Sequence, residues 1–361
     1  SFLMHEVDGE INARSEISLI AKQNNFGLFD LKPITGKTHQ FAFMGGYHGR
    51  TLGASAITSS YRYRRRFGNF ADRAQFIPYP YCFRCPYSMK VETCDTYCHK
   101  EFEKLFDTEY QSVWDEKAGQ CEFGAFYIEP MQGTGGYIVP PKGYMKKLAE
   151  SLKKRNVLLV ADEIQMGVYR TGKLWSWENF DIIPDIFVFG KAITNGLNPL
   201  SGIWAKEELI NPEKFPPGST HSTFASNPLG TSVALEVLKM TSEDNFEKKV
   251  NDRGAYFLKR IEELKSRWKV VGDVSGLGLA LRIELCEKDG FTASRKLADR
   301  MFNEGLLGDI RIGDKTYGLV LDIGGYEKNV ITLAPSLLIS EEEIDLGIQL
   351  FEALLKRCGA E

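Results

Sequence analysis

Val157-Leu158-Leu159-Val160-Ala161 is an unbroken apolar run that stops on Asp162-Glu163. Two runs of the same kind flank it in sequence. Gly124-Ala125-Phe126-Tyr127-Ile128 ends in Glu129-Pro130, and Asp185-Ile186-Phe187-Val188-Phe189 ends in Gly190-Lys191. Short runs without polar alternation read as strands buried on both faces. Between the first two, Gly143 to Arg155 carries Met145, Leu148 and Leu152 at i, i+3 and i+7, the spacing of a helix face. Strands alternating with helices predict an α/β fold built on a mostly parallel sheet. Ligands of such sheets bind beyond the carboxyl ends of the strands. Each of these strands ends in a group fit for chemistry: Glu129, Asp162 and Lys191.

The pattern changes after Leu229. Gly230 to Met240 and Phe246 to Trp268 read as long amphipathic helices, followed by strand-like Val270-Val271 and Leu279 to Glu284. A helix from Thr292 to Gly305 comes next, then a closing helix from Glu341 to Lys356. Ser340, with Glu343 three residues on, is a capping box for that last helix. A chain of 361 residues exceeds the size at which one core stops growing. The expected division is a large domain over 1–240 and a smaller α+β domain over 241–361.

Composition narrows the function classes. A net charge of -3 with mixed signs argues against a nucleic-acid-binding surface. The basic-aromatic run Tyr61-Arg62-Tyr63-Arg64-Arg65-Arg66 reads as a solvated stretch near an interface. No apolar segment is long enough to span a membrane, and the N-terminus lacks the order of a signal peptide, so the cytoplasm is the default expectation. Seven cysteines, an odd number in a long chain, argue against a secreted disulfide scaffold. Four of them cluster as Cys82-x2-Cys85-x8-Cys94-x3-Cys98, within reach of a Tyr/Pro-rich loop. That spacing is compatible with a thiolate zinc site, while structural thiols or one local disulfide are the plainer expectation. Either way the cluster reads as a local staple and not as the chemistry.

Asp162, Gln165 and Lys191 carry the chemical argument together. A buried acid at a strand end can hold positive charge on a ring nitrogen through a charge-assisted hydrogen bond. A lysine in a tight turn at the next strand end can form a Schiff base. Pyridoxal 5′-phosphate needs both. The ordered series Ala161-Asp162-Glu163-Ile164-Gln165, Arg170-Thr171-Gly172, Pro184-Asp185-Ile186 and Gly190-Lys191-Ala192 resembles the class III aminotransferases, of ornithine and 4-aminobutyrate type. The resemblance runs from about Gly36 to the C-terminus.

It implies the type I pyridoxal-phosphate fold and a catalytic Lys191 that holds the cofactor and shuttles a proton. It further implies Asp162 at the pyridine nitrogen and Gln165 at the ring hydroxyl. Gly46-Tyr47-His48-Gly49-Arg50-Thr51 is similar to the segment whose aromatic ring, here Tyr47, stacks on the cofactor, with His48 close by. Glu129-Pro130-Met131-Gln132-Gly133 is similar to a strand-end motif near the cofactor. Ser222-Thr223-Phe224-Ala225-Ser226-Asn227-Pro228-Leu229 resembles a loop that crosses a dimer interface, where Thr223 would reach the partner's cofactor phosphate. A homodimer with shared sites, an amino donor and a 2-oxo acid acceptor follow from the likeness.

The sequence departs from the family in two places. Relatives acting on ω-amino groups carry a Glu where this chain has Thr134 and an Arg where it has Thr332. Losing both charges together leaves neither uncompensated, so the carboxylate switch is expected to be missing. The family's phosphate-binding turn has no counterpart in residues 1–35, where Val7-Asp8-Gly9-Glu10 and Gly27 are the nearest fragments. Either the N-terminal segment is truncated, or spacings within 1–40 are not those of a continuous segment; the second is the expectation. Transamination is the leading reading. Racemisation on the same lysine is the alternative, ahead of a decarboxylating transaminase and a cofactor-free paralogue.

Overall fold

The computed structural model describes residues 17–22, 35–64, 74–108, 110, 112–213, 216, 223–242 and 245–360. Val7 to Glu10, Gly27, Arg65, Arg66 and Ser222 lie outside the described residues. The chain forms two compact units: 1–130, 140–167 and 177–243 in one, and 131–139, 168–176 and 244–361 in the other.

The first unit is built on a seven-stranded sheet. Its members are β1 (Ile17–Lys22), β2 (His39–Phe43), β3 (Ala74–Ile77), β6 (Phe123–Ile128), β7 (Leu158–Asp162), β8 (Ile186–Phe189) and β9 (Ser201–Lys206). A short hairpin, β4 (Trp114–Asp115) with β5 (Gln120–Cys121), stands apart from it. The sheet order is β1-β9-β8-β7-β6-β2-β3, with β3, β2, β6, β7 and β8 parallel and β9 antiparallel to β8. The three apolar runs quoted above are β6, β7 and β8, in adjacent positions. The parallel strands therefore all end at one edge of the sheet.

Both faces of this sheet are covered, which is why these strands show no alternation. Ala42, Ala125, Tyr127, Val160, Ile186 and Val188 fill one face, with Ile57 from the helix Leu52–Ile57. The other face is aromatic. Phe41 stacks on Phe123 at 3.9 Å and meets Phe102 edge-on at 5.5 Å, while Phe43 meets Tyr79 at 4.9 Å. Phe102 and Phe106 come from the helix Tyr97–Asp107, and Met145, Leu148 and Leu152 are the buried stripe of the helix Tyr144–Lys154. Each fully buried ring contributes roughly 1.5–3 kcal/mol by burial.

The second unit holds an antiparallel sheet, β10 (Val271–Leu277), β11 (Ala280–Leu285), β15 (Val330–Leu333) and β14 (Asp322–Gly324), in that order. A separate hairpin pairs β12 (Ile310–Ile312) with β13 (Lys315–Tyr317). Leu281, Ile283 and Ile331 point into a core shared with Val250, Phe257 and Ile261 of the helix Phe246–Arg267. Ile344, Ile348 and Phe351 of the helix Glu341–Arg357 complete it. The expected capping box is formed: Glu343 N donates to Ser340 Oγ at 3.1 Å, and Ser340 N donates to Glu343 Oε2 at 2.8 Å.

Strand alternation then sends Arg282, Glu284 and Thr332 to the other face, where all three are buried. Arg282 pairs with Glu284, and Asn329 Nδ2 donates to Glu284 Oε1 at 3.1 Å. Gly278 (φ 53°) makes the β10–β11 turn against this unit's segment 168–176; a Cβ there would lie 2.3 Å from Gly172 N.

Candidate active site

β2 ends at Phe43, and the chain turns through Gly45-Gly46 into Tyr47-His48. Gly46 is required by close approach, since a Cβ would sit 3.0 Å from Phe43 O and 3.1 Å from His48 Nε2. Two hydroxyls just past the helix Leu52–Ile57 fix the turn. Gly45 N donates to Ser59 Oγ at 2.6 Å and His48 N donates to Thr58 Oγ1 at 2.9 Å. Thr58 Oγ1 in turn donates to Gly49 O at 2.9 Å.

The turn reaches two neighbouring strand ends. Tyr47 N donates to Glu129 Oε2 at 3.1 Å, joining the ends of β2 and β6. His48 Nδ1 lies 3.0 Å from Asp162 Oδ2 at the end of β7, with side-chain exposures of 0% and 6%. With an ionised carboxylate as partner, Nδ1 carries the proton. His48 Nε2 is buried and finds no hydrogen-bond partner among the described residues. Asp162 Oδ1 accepts from Ile164 N at 3.1 Å. Each carboxylate oxygen thus keeps a lone pair. The Tyr47 ring stands 5.3 Å from Tyr63, nearly edge-on. Burial raises the Tyr47 hydroxyl pKa, Arg50 opposes the shift, and Tyr63 and Asp162 add to it.

β8 supplies the cation. Val188 is the register partner of Asp162, and Glu163 N donates to Val188 O at 2.8 Å. Three residues past Val188, Lys191 is exposed at the start of a 3₁₀ turn and sits at φ 44°. A left-handed backbone at a non-glycine residue costs about 1–2 kcal/mol. Such strain persists where the surroundings impose it. Here Ile193 N donates to Gly190 O at 3.1 Å and Thr194 Oγ1 donates to Asn198 O at 2.5 Å.

The carboxyl edge of the parallel strands therefore gathers Tyr47, His48, Glu129, Asp162 and Lys191, with Gln165 half-buried in the turn after Asp162. Thr223 lies in an exposed turn ahead of the helix Pro228–Ser242. Thr134 and Thr332 belong to the second unit. Gly325 N donates to Thr134 O at 3.4 Å, and the Thr332 hydroxyl donates to the Asp322 carboxylate. Sequence reasoning missed Thr58, Ser59 and Asp322, none of which falls in a motif. Nor did it see that Glu163, 1% exposed, accepts from Trp177 N at 3.0 Å and so pins the loop after β7.

Cys82, Cys85, Cys94 and Cys98 are half-buried, outside any disulfide, and line a cavity of about 20 Å³ in the first unit. Burial, with Cys82 and Cys94 adding, pushes the Cys98 thiol up to about 11. Among the described residues no group of three or more His, Cys, Asp or Glu is placed to hold a metal ion, and no helix is long and apolar enough to cross a membrane.

Residues 27–355 match the family described as aminotransferase class-III. An ornithine aminotransferase of Exiguobacterium sp. is 32% identical over 91% of this chain and 68% of its own length. A leucine/methionine racemase of Thermococcus litoralis is 30% identical over 86% of this chain and 66% of its own. The chain thus spans about two thirds of these curated relatives. An amine transaminase from an uncultivated Pseudomonas species, solved with pyridoxal phosphate bound, superposes with a TM-score of 0.82 at 22% identity. It covers 97% of this chain and 79% of that one, a likeness of fold. The strand-end constellation and the family match agree: this chain belongs to the class-III aminotransferases, a family that works with pyridoxal 5′-phosphate.

Proposed function

We propose that the protein moves an amino group from an amino acid or ω-amine to a 2-oxo acid, with pyridoxal phosphate held by Lys191. The observation that carries this reading is the buried Asp162–His48 pair one strand away from the Lys191 turn. The donor set suits the cofactor: a desolvated carboxylate with lone pairs to spare, an exposed amine, and an aromatic ring at Tyr47. When bound, the cofactor supplies an electron sink for a carbanion at the substrate's amino-bearing carbon.

The chain's own groups do the rest. Asp162 holds a proton at the ring nitrogen through a charge-assisted hydrogen bond. His48 fixes the direction of that carboxylate, and Ile164 N holds its other oxygen. Lys191 takes the proton from the substrate carbon as general base. Tyr47 would cover a ring face, Gln165 would meet the ring hydroxyl and Thr223 would reach the phosphate of a partner subunit, while Glu129 holds the Tyr47 turn. With Thr134 and Thr332 in place of Glu and Arg, the substrate is one that does not need that cation for its carboxylate.

A cytoplasmic homodimer is part of the proposal. The dimer's support is the helix Pro228–Ser242, apolar in sequence yet leaving Leu229 and Met240 exposed, with Phe224 exposed just before it. The racemase among the relatives keeps racemisation as a second reading, in which Lys191 returns the proton to the same carbon.

The test is an absorption spectrum with added pyridoxal phosphate, repeated for Lys191→Ala. A visible-edge band that appears in the parent, shifts with amines and vanishes in the variant supports the reading; its absence at saturating cofactor sinks it. Dependence of turnover on a 2-oxo acid then separates transfer from racemisation.

A further inference from the structure

Between the end of β3 and the helix Tyr97–Asp107, residues 78–96 form no helix or strand. Loops of this length without secondary structure are uncommon in compact domains. This one is well anchored at its start, where buried Tyr79 donates its hydroxyl to Pro130 O at 2.8 Å, one residue past Glu129. Further along, Ser88 N donates to Cys85 O at 3.0 Å, Cys94 N donates to Lys90 O at 2.9 Å, and Lys147 Nζ donates to Thr96 Oγ1 at 2.6 Å. Ser88, Asp95 and Thr96 all stand at positive φ.

The four cysteines punctuate this stretch and converge. All four line one cavity of about 20 Å³, walled otherwise by Pro80, Tyr81, Pro86, Met89, Tyr97 and Pro141 among others. A space of that size admits about one water-sized guest. Its lining offers sulfur and little else that is polar. A water wants two to four hydrogen-bonding partners, so it is a poor occupant; a soft cation suits four sulfurs well.

We propose that Cys82, Cys85, Cys94 and Cys98 form a structural site for one zinc ion, which clamps the 78–96 loop onto the first unit. The sulfurs do not yet form a cage. A tetrahedron with zinc–sulfur bonds of about 2.3 Å has edges of about 3.8 Å, near ordinary contact between thiols. Forming it requires side-chain rotation around the cavity that all four already line. Each thiol loses its proton to solvent as its bond to zinc forms, four protons for one Zn²⁺, with no change of oxidation state. The site is closed, with no open position for substrate, and its work is to hold Tyr79 and Pro80 beneath the strand end that carries Glu129.

The test uses the whole purified protein, reduced and stripped with a chelator, and then given Zn²⁺ or Co²⁺. One zinc per chain is expected, with the intense visible bands of tetrahedral thiolate-bound Co²⁺. Cys82→Ser with Cys94→Ser should abolish both, while Cys358→Ser, outside the cavity, should leave both intact. In the parent protein, zinc should slow alkylation of these four cysteines by roughly tenfold or more, a readout that needs no variant. Alkylation rates unchanged by zinc would overturn the site. So would disulfides among the four in protein as isolated, together with refusal of metal after reduction.

Discussion

Both units bury charge, and they do so in different ways. At the carboxyl edge of the seven-stranded sheet, Asp162 sits on the last residue of its strand and His48 in a turn, and their bond leaves carboxylate lone pairs unused. On the four-stranded sheet, Arg282 and Glu284 lie within β11 and pair with one another. Asn329 and Asp273, the latter 3.8 Å from Arg282, complete that network. The first arrangement leaves acceptor capacity at a strand end; in the second, opposite charges meet one another within the sheet. Burial alone does not mark a site. What marks it is a buried charge at a strand end whose partners leave capacity for one more group.

The largest effect should come from the first region. Lys191→Ala should lower turnover by roughly 10³-fold or more, measured as amino transfer, with little change in melting temperature because the side chain is exposed. A loss of folding instead would erase the contrast. In the second region, Arg282→Met strands Glu284 without its cation and should cost about 3–5 kcal/mol in denaturant unfolding. Replacing Arg282 and Glu284 together by apolar residues should cost far less. Equal losses from the single and double changes would mean the network does more than balance its own charge.

A smaller effect is expected at His48. Changing His48→Phe removes the bond to Asp162 and should weaken pyridoxal phosphate binding by about 1.5–3 kcal/mol, roughly 10- to 100-fold, read by absorbance titration. An unchanged affinity would show that Asp162 needs no partner. The smallest effect belongs to Asp273, whose pKa burial raises against the opposing pull of Arg282 and Lys265. A raised carboxyl favours folding while protonated, below its unfolded value, and loses that contribution as pH rises through the folded one. Asp273→Asn should therefore gain more stability at pH 7 than at pH 4, measured by urea unfolding at both. A gain that shrinks with pH would place Asp273 among the stabilising ion pairs.

The strands β6, β7 and β8 were legible because burial on both faces writes an unbroken apolar run, and the helix Tyr144–Lys154 because a buried stripe repeats at its own period. β14 and the β12–β13 hairpin were not, being too short to carry a pattern. Asp162 and Lys191 stood out because each ends such a run. Thr58 did not, because an isolated threonine ten residues from His48 has nothing periodic about it; only the folded turn brings its hydroxyl to His48 N.

The sequence by itself determined the parallel sheet, the capping box at Ser340 and the acid and lysine at neighbouring strand ends. These are local consequences of burial and of helix-end hydrogen bonding. Only the tertiary structure decided that His48 pairs with Asp162 across 114 residues and that residues 131–139 and 168–176 join the second unit. It also decided that four thiols meet around one cavity. Contacts between distant segments leave no period in the chain, because side-chain spacing reports the face an element buries and not what covers that face.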